Sequence, residues 1–190
     1  ADNDILVVLC MAFTGTDGEF PTVSLPPDFA EIDGYQVSSS TNYLRCKVGW
    51  KRADGESGDY SWSASGYTAV RSIMGVYPGR LASGSPIGDY DEWFSAAVDT
   101  VLGTDSISIQ AGSDVVWIGG TLYSTLRSIT DVPSGMNSRF EDDQCALADL
   151  LDQAAGPTGD KEGTLSRNLS TFKVAYLIEL KSDVIDKGSF

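Results

Sequence analysis

The sequence contains no histidine. That absence removes the commonest general base, the usual Ser–His and Cys–His nucleophile pairs, and imidazole-based zinc and iron sites. Cysteine is scarce. Cys10, Cys46 and Cys145 are odd in number, scattered, and form no CxxC pair, which excludes a full disulfide framework and speaks against a zinc site. Cys10 and Cys46 lie in apolar strand patterns, where a free thiol behaves as a small hydrophobe; one disulfide between two of the three stays open. Basic residues are also few: 13 Lys and Arg stand against 27 Asp and Glu, a formal net charge of −14. A surface this acidic repels phosphate backbones, so no nucleic-acid partner is expected. Two readings of the charge remain, solubility and an acidic face that docks onto a basic partner. No apolar run approaches the ~20 residues of a membrane helix, so no membrane partner is expected. The chain opens Ala1-Asp2-Asn3-Asp4, without the basic stretch of a secretory signal. Phosphate-cradling loops are missing too: Gly112, Gly119 and Gly120 fit neither GxGxxG nor GxxxxGK.

What the chain has is strands. Ile5 to Phe13 is near-continuously apolar, which suits a buried strand, and it ends in the turn cluster Thr14-Gly15-Thr16-Asp17-Gly18. Leu44, Cys46, Val48 and Trp50 alternate with Arg45, Lys47, Gly49 and Lys51, one face dry and one wet. Further strands are predicted at Tyr60 to Trp62, Thr68 to Tyr77, Ser106 to Ile109 and Asp114 to Tyr123, the last with a glycine pair. In Phe172 to Lys181, Val174, Tyr176, Ile178 and Leu180 form one face, and Glu179 and Lys181 mark the other. Strands at these intervals, with turn signals between them, predict an all-β antiparallel sandwich over residues 1–190 as one domain. Two stretches resist. Asp91 to Leu102 reads as a short amphipathic helix with Trp93, Ala97 and Val101 on one stripe, so a helical or irregular insertion is expected near 89–102. Gln144 to Ala155 has helix propensity, while Cys145, Leu147 and Leu151 also sit at even, strand-like spacing.

The remaining candidates for chemistry are carboxylates. A glycosidase needs two across a bond, and Asp89, Asp91 and Glu92 beside Tyr90 and Trp93 are the nearest approach to that pattern. With 27 acidic residues, neighbouring pairs arise by chance, so no enzyme is expected and no catalytic residue is assigned. The same run lacks the spacing and glycine of an EF-hand, and no metal or cofactor is expected. Glu141-Asp142-Asp143 reads as a solvated turn. Trp50, Trp62 and Trp117 lie in strand patterns and are predicted core. Tyr90, Trp93 and Phe94, in a polar setting, are the candidate interface with another subunit or a ligand, because aromatic residues are enriched at interfaces.

The order of several segments carries a resemblance. Asp4-Ile5-Leu6-Val7-Val8, Pro26-Pro27-Asp28-Phe29-Ala30-Glu31-Ile32, Lys51-Arg52-Ala53-Asp54-Gly55-Glu56 and Tyr60-Ser61-Trp62 come first. Val76-Tyr77-Pro78-Gly79, Gly84-Ser85-Pro86-Ile87, Val132-Pro133-Ser134-Gly135-Met136 and the closing Phe172 to Lys181 follow. Together they resemble the β-sandwich, jelly-roll-like domains of tailed-bacteriophage structural proteins, such as head decoration, cement and fibre proteins. The motifs are loose and none is chemical. The resemblance implies that Gln144 to Ala155 is a strand. It implies a virion structural protein on the outer capsid surface, with the major capsid protein and copies of itself, as a trimer, for partners. A receptor- or glycan-binding module of a fibre or tail is the alternative. Such domains carry another strand ahead of the Ile5 segment, so Ile5 to Phe13 is expected to lie at an edge that another chain could cover.

Overall fold

The computed structural model describes residues 3–15, 18–39, 41–55, 58–78, 81, 83–122, 129–170 and 172–183, with backbone alone described at 98–99 and 167–170. Thr16, Asp17, Glu56, Ser57, Gly79 and Tyr123, named above in turns and strand ends, lie outside the described residues. The described chain is all β, with no helix among the described residues. In chain order the strands are β1 (Ile5–Thr14), β2 (Thr22–Ser24), β3 (Ala30–Ser39), β4 (Asn42–Arg52), β5 (Ser63–Ser65), β6 (Ala69–Tyr77), β7 (Ile87–Ser95) and β8 (Val98–Thr104). They continue as β9 (Ser108–Ile109), β10 (Ser113–Leu122), β11 (Ile129–Asp131), β12 (Asn137–Glu141), β13 (Cys145–Gln153), β14 (Gly156–Pro157), β15 (Lys161–Ser170) and β16 (Phe172–Leu180).

Two antiparallel sheets carry the core, one ordered β3-β4-β1-β6 and the other β12-β13-β10-β16-β7. Their facing sides meet through alternate residues: Val7, Leu9 and Met11 of β1 and Leu44, Cys46 and Val48 of β4 pack against Val116, Ile118, Val174, Tyr176 and Ile178. The far side of the five-stranded sheet is covered in turn by β11-β15-β8, with Trp117, Val115, Leu177, Leu102 and Leu165 between. The far side of β1 is covered by the small β2-β5 ribbon and its neighbours, through Val8, Cys10, Ala12, Val23 and Trp62. Being covered on both faces explains why β1, β10 and β16 are buried at every residue and why the first two read as apolar runs without alternation.

Several expectations are corrected here. No helix lies near 89–102: the segment is two successive strands of different sheets, β7 and β8, joined at Ala96-Ala97, where the Ser95 hydroxyl accepts the Ala97 amide at 3.0 Å. Trp93 and Phe94 pack into different cores, on opposite faces, and only a strand sends neighbouring side chains to opposite faces. β1 is an internal strand, paired along its length with β4 and β6, not an edge. Tyr60 to Trp62 precede a strand rather than forming one. Glu179 is not on a wet face but buried, as is Lys173, because the third sheet and its loops cover that side. Gln144 to Ala155 does contain a strand, β13. All three cysteines are free and buried, and burial pushes each thiol up to about 12, which leaves them protonated and inert. Of the predicted core tryptophans, Trp117 is fully buried, while Trp50 and Trp62 are half-buried at core margins. A Cβ at Gly119 would lie 2.4 Å from the Trp117 ring, so half of the glycine pair makes room for that indole.

Candidate functional site

β7 forms one edge of the five-stranded sheet and carries the residues singled out from the sequence. Strand alternation separates them. Trp93 is half-buried under the third sheet, with the Lys173 ammonium 5.9 Å from its ring centroid. Phe94 points the other way and stacks on Tyr35 of β3 at 3.7 Å between centroids and 15° between planes, with its edge on Tyr176 at 5.6 Å. Tyr90 is exposed on the Phe94 side. The three do not form one surface; instead Tyr35 and Phe94 close the sandwich along the line where β3 lies over β7.

The carboxylates of this strand hold backbone. Asp89 accepts the Ser108 amide at 3.0 Å and Asp91 accepts the Asp105 amide at 2.7 Å, tying β7 to the segment that leads into β9. Glu179, buried on β16, accepts the Gln110 amide and the Ser113 hydroxyl at 2.7 Å each and the Asp89 amide at 3.0 Å. Space for its carboxylate exists because residue 88 is glycine; a Cβ there would lie 1.8 Å from Oε2. Glu92 faces the other way, and burial, then Asp33 and Asp91, push its carboxyl above the usual range. Asp142 accepts the amides of Gln144 and Cys145 at 2.7 and 2.6 Å, so this acidic cluster is a turn leading into β13. Among the described residues no group of three or more Cys, Asp or Glu side chains is placed to hold a metal ion.

Among the described residues the opposite long side of the sandwich is open. The four-stranded sheet stops at β6, and the five-stranded sheet runs one strand further, to β12. Between them runs a groove of about 660 Å³, walled by β6 and floored by Arg139, Phe140, Leu147, Asp149 and Leu151. Phe140 is 48% exposed, Leu151 37%, and on the β6 rim Met74 is 39% and Val76 59% exposed. Two polar atoms in this lining are buried without a hydrogen-bond partner, Tyr77 Oη and Asp149 Oδ1. The other Asp149 oxygen accepts from Arg139 Nε at 2.6 Å. Burial, reinforced by Asp149, raises the Tyr77 hydroxyl, so it stays a neutral donor. A buried donor and acceptor without partners are costly, by about 1–3 kcal/mol each, unless something in the groove satisfies them.

The sequence carries one signal of this groove. Asp149 interrupts the even-spaced stripe Cys145, Leu147, Leu151, and an acid in an apolar stripe asks for a partner. The fold and groove define an antiparallel layered β protein with one closed and one open long side. Comparison of the chain with protein-family models, curated proteins and solved structures finds no match.

Proposed function

We propose that this chain is a structural, surface-binding protein of a bacteriophage particle, and specifically a decoration protein that sits on the outer face of the head. It would contact the major capsid protein and copies of itself, as a trimer, and reinforce the shell by adding interface at many equivalent positions. The kinship with jelly-roll-like phage sandwiches and the single domain over 1–190 belong to the same proposal. The observation that carries it is a division of labour among side chains. Asp89, Asp91 and Glu179 are tied to backbone amides, while apolar Phe140 and Leu151 lie exposed on the groove floor and Met74 and Val76 on the outward face of the neighbouring β6. An exposed apolar patch rimmed by polar groups is the usual mark of a contact surface.

The test is co-sedimentation of the purified protein with phage heads stripped of surface proteins, followed by electron cryomicroscopy of the particles. Ordered copies at symmetry-related sites are expected; no binding to heads overturns the decoration reading. A second reading, a glycan-binding module of a fibre or tail, is favoured by the exposed Phe140 ring on the groove floor, an apolar face that suits a sugar ring. A glycan array with no hits would remove it.

A further inference from the structure

We propose that the groove beside β6 is a docking site for an extended segment of another protein chain, which adds a fifth strand to the four-stranded sheet and carries a basic residue between two apolar ones on its inward face. The inference names the kind of partner segment an assembly protein would use, and rests on the reading above only in assuming a protein partner.

Three observations converge on it. First, the sheets are mismatched. Among the described residues no strand lies above β12, and none pairs with the outer edge of β6. An unpaired edge offers a row of amides and carbonyls to an incoming strand, which would lie ~4.8 Å from β6. A strand so placed covers Phe140 and Leu151, the two exposed apolar residues of the floor.

Second, the floor has a readable pattern. Leu147, Asp149 and Leu151 follow one another at every second residue on the same face of β13. Facing sheets in a sandwich keep their strands within ~30° of each other, so an added strand runs roughly along this row. Its inward side chains recur every ~6.8 Å and meet in turn Phe140, which pairs with the buried Leu147, then Asp149, then Leu151, an apolar, acidic and apolar floor. The complementary order is apolar, donor, apolar.

Third, the charge agrees. Asp149 Oδ1 is a buried acceptor without a partner, the groove also holds Asp142 against a single Arg139, and the whole chain carries −14. A lysine or arginine supplies the donor to Oδ1, and a main-chain carbonyl or side-chain oxygen of the same segment accepts from Tyr77 Oη. A second copy of this acidic chain is the poorer occupant on the same ground.

The probe is a capped peptide of about seven residues that alternates threonine with valine, lysine and valine, in that order. It is titrated into the intact protein while the backbone amide resonances are followed. Saturable binding is expected, with shifts concentrated in 69–77 and 137–151. Two N-methylated versions, blocking alternate peptide nitrogens in opposite phase, separate strand pairing from mere stickiness: one phase should lose binding and the other keep it. Moving the lysine to the threonine face, or making Phe140→Ser or Asp149→Asn in the protein, should weaken binding about tenfold, the equivalent of ~1.4 kcal/mol. Phe140 is exposed, so its variant serves even if the Asp149 variant folds poorly. No saturable binding at millimolar peptide, equal binding by both N-methylated phases, or shifts centred elsewhere overturns the proposal. So does a saccharide that shifts the groove resonances where the peptide does not. Heads that bind the protein while peptides leave the groove untouched refute this inference alone; peptide binding without head binding refutes the decoration reading alone.

Discussion

Along one long side of the sandwich β3 lies over β7, and Tyr35 is laid flat on Phe94 at 3.7 Å. Along the other, β6 stops short of β12, and Phe140 faces solvent. Both sides end in aromatic residues and both carry acids, yet the outcomes differ. On the closed side the sheets end together, so an aromatic from each edge meets its counterpart, and Asp89, Asp91 and Glu179 find backbone amides within 3.0 Å. On the open side the sheets end one strand apart, so among the described residues no strand lies above Phe140 and Asp149 keeps one oxygen unpartnered. Residue type therefore does not decide whether an aromatic–acid cluster is structure or surface; the strand count on the opposite layer does.

The closed side is the easier to break. Gly88→Ala would drive a methyl to within 1.8 Å of Glu179 Oε2 and displace a buried carboxylate that takes three hydrogen bonds. A loss of about 4 kcal/mol in denaturant unfolding is expected, combining overpacking with unsatisfied buried groups. A loss under ~1 kcal/mol would mean that Glu179 does not hold this side together. Phe94→Ala removes the stack on Tyr35 and the edge contact with Tyr176. Because Phe94 is half-buried, the cost should fall at the low end for such truncations, about 3 kcal/mol. Near-neutral behaviour would show that the two sheets close without it.

Much of the architecture was legible in the residues, and the illegible part has a definite cause. Strands β1, β4 and β10 announced themselves because their patterns reflect the layers above and below them. The 91–102 segment misled because Trp93, Ala97 and Val101 do fall at helical spacing. What overruled that spacing is the pair Trp93-Phe94, which serves two separate cores at once. Glu179 misled in the opposite way, since a charge in an alternating strand ordinarily marks the wet face, and only the covering layer with the Gln110 and Asp89 amides in reach makes it a dry one. The groove was half legible. Asp149 stands out in its stripe, but β12 is exposed at every residue and has no pattern to announce a strand, so the mismatch in strand number could not be seen.

A gentler probe of the closed side uses pH. Glu92 has its carboxyl raised, first by burial and then by Asp33 and Asp91. A carboxyl raised in the folded state favours folding while protonated, and that contribution is lost as pH rises from 4.5 through the folded value. Glu92→Gln should therefore raise Tm slightly at pH 7, with the gain disappearing below pH 4.5. A gain that persists in acid would trace to packing rather than charge. Glu92 is solvent-accessible, so the effect is small and should shrink further in high salt.

The smallest effect belongs to the open side, and its smallness is the point. Phe140 is 48% exposed, and residue for residue its strand is exposed throughout. Phe140→Ser should change stability by no more than about 0.5 kcal/mol in chemical unfolding, the range of surface substitutions that break no cap, core or buried bond. Set beside the ~3 kcal/mol expected for Phe94, this is a sixfold contrast between two phenylalanines at opposite edges of one sandwich. If Phe140→Ser proves as costly as Phe94→Ala, the groove is part of the fold, and its apolar floor needs no visitor. If it is neutral, an aromatic side chain stands in water without stabilising the chain that carries it, and its value lies in what it covers when a partner arrives.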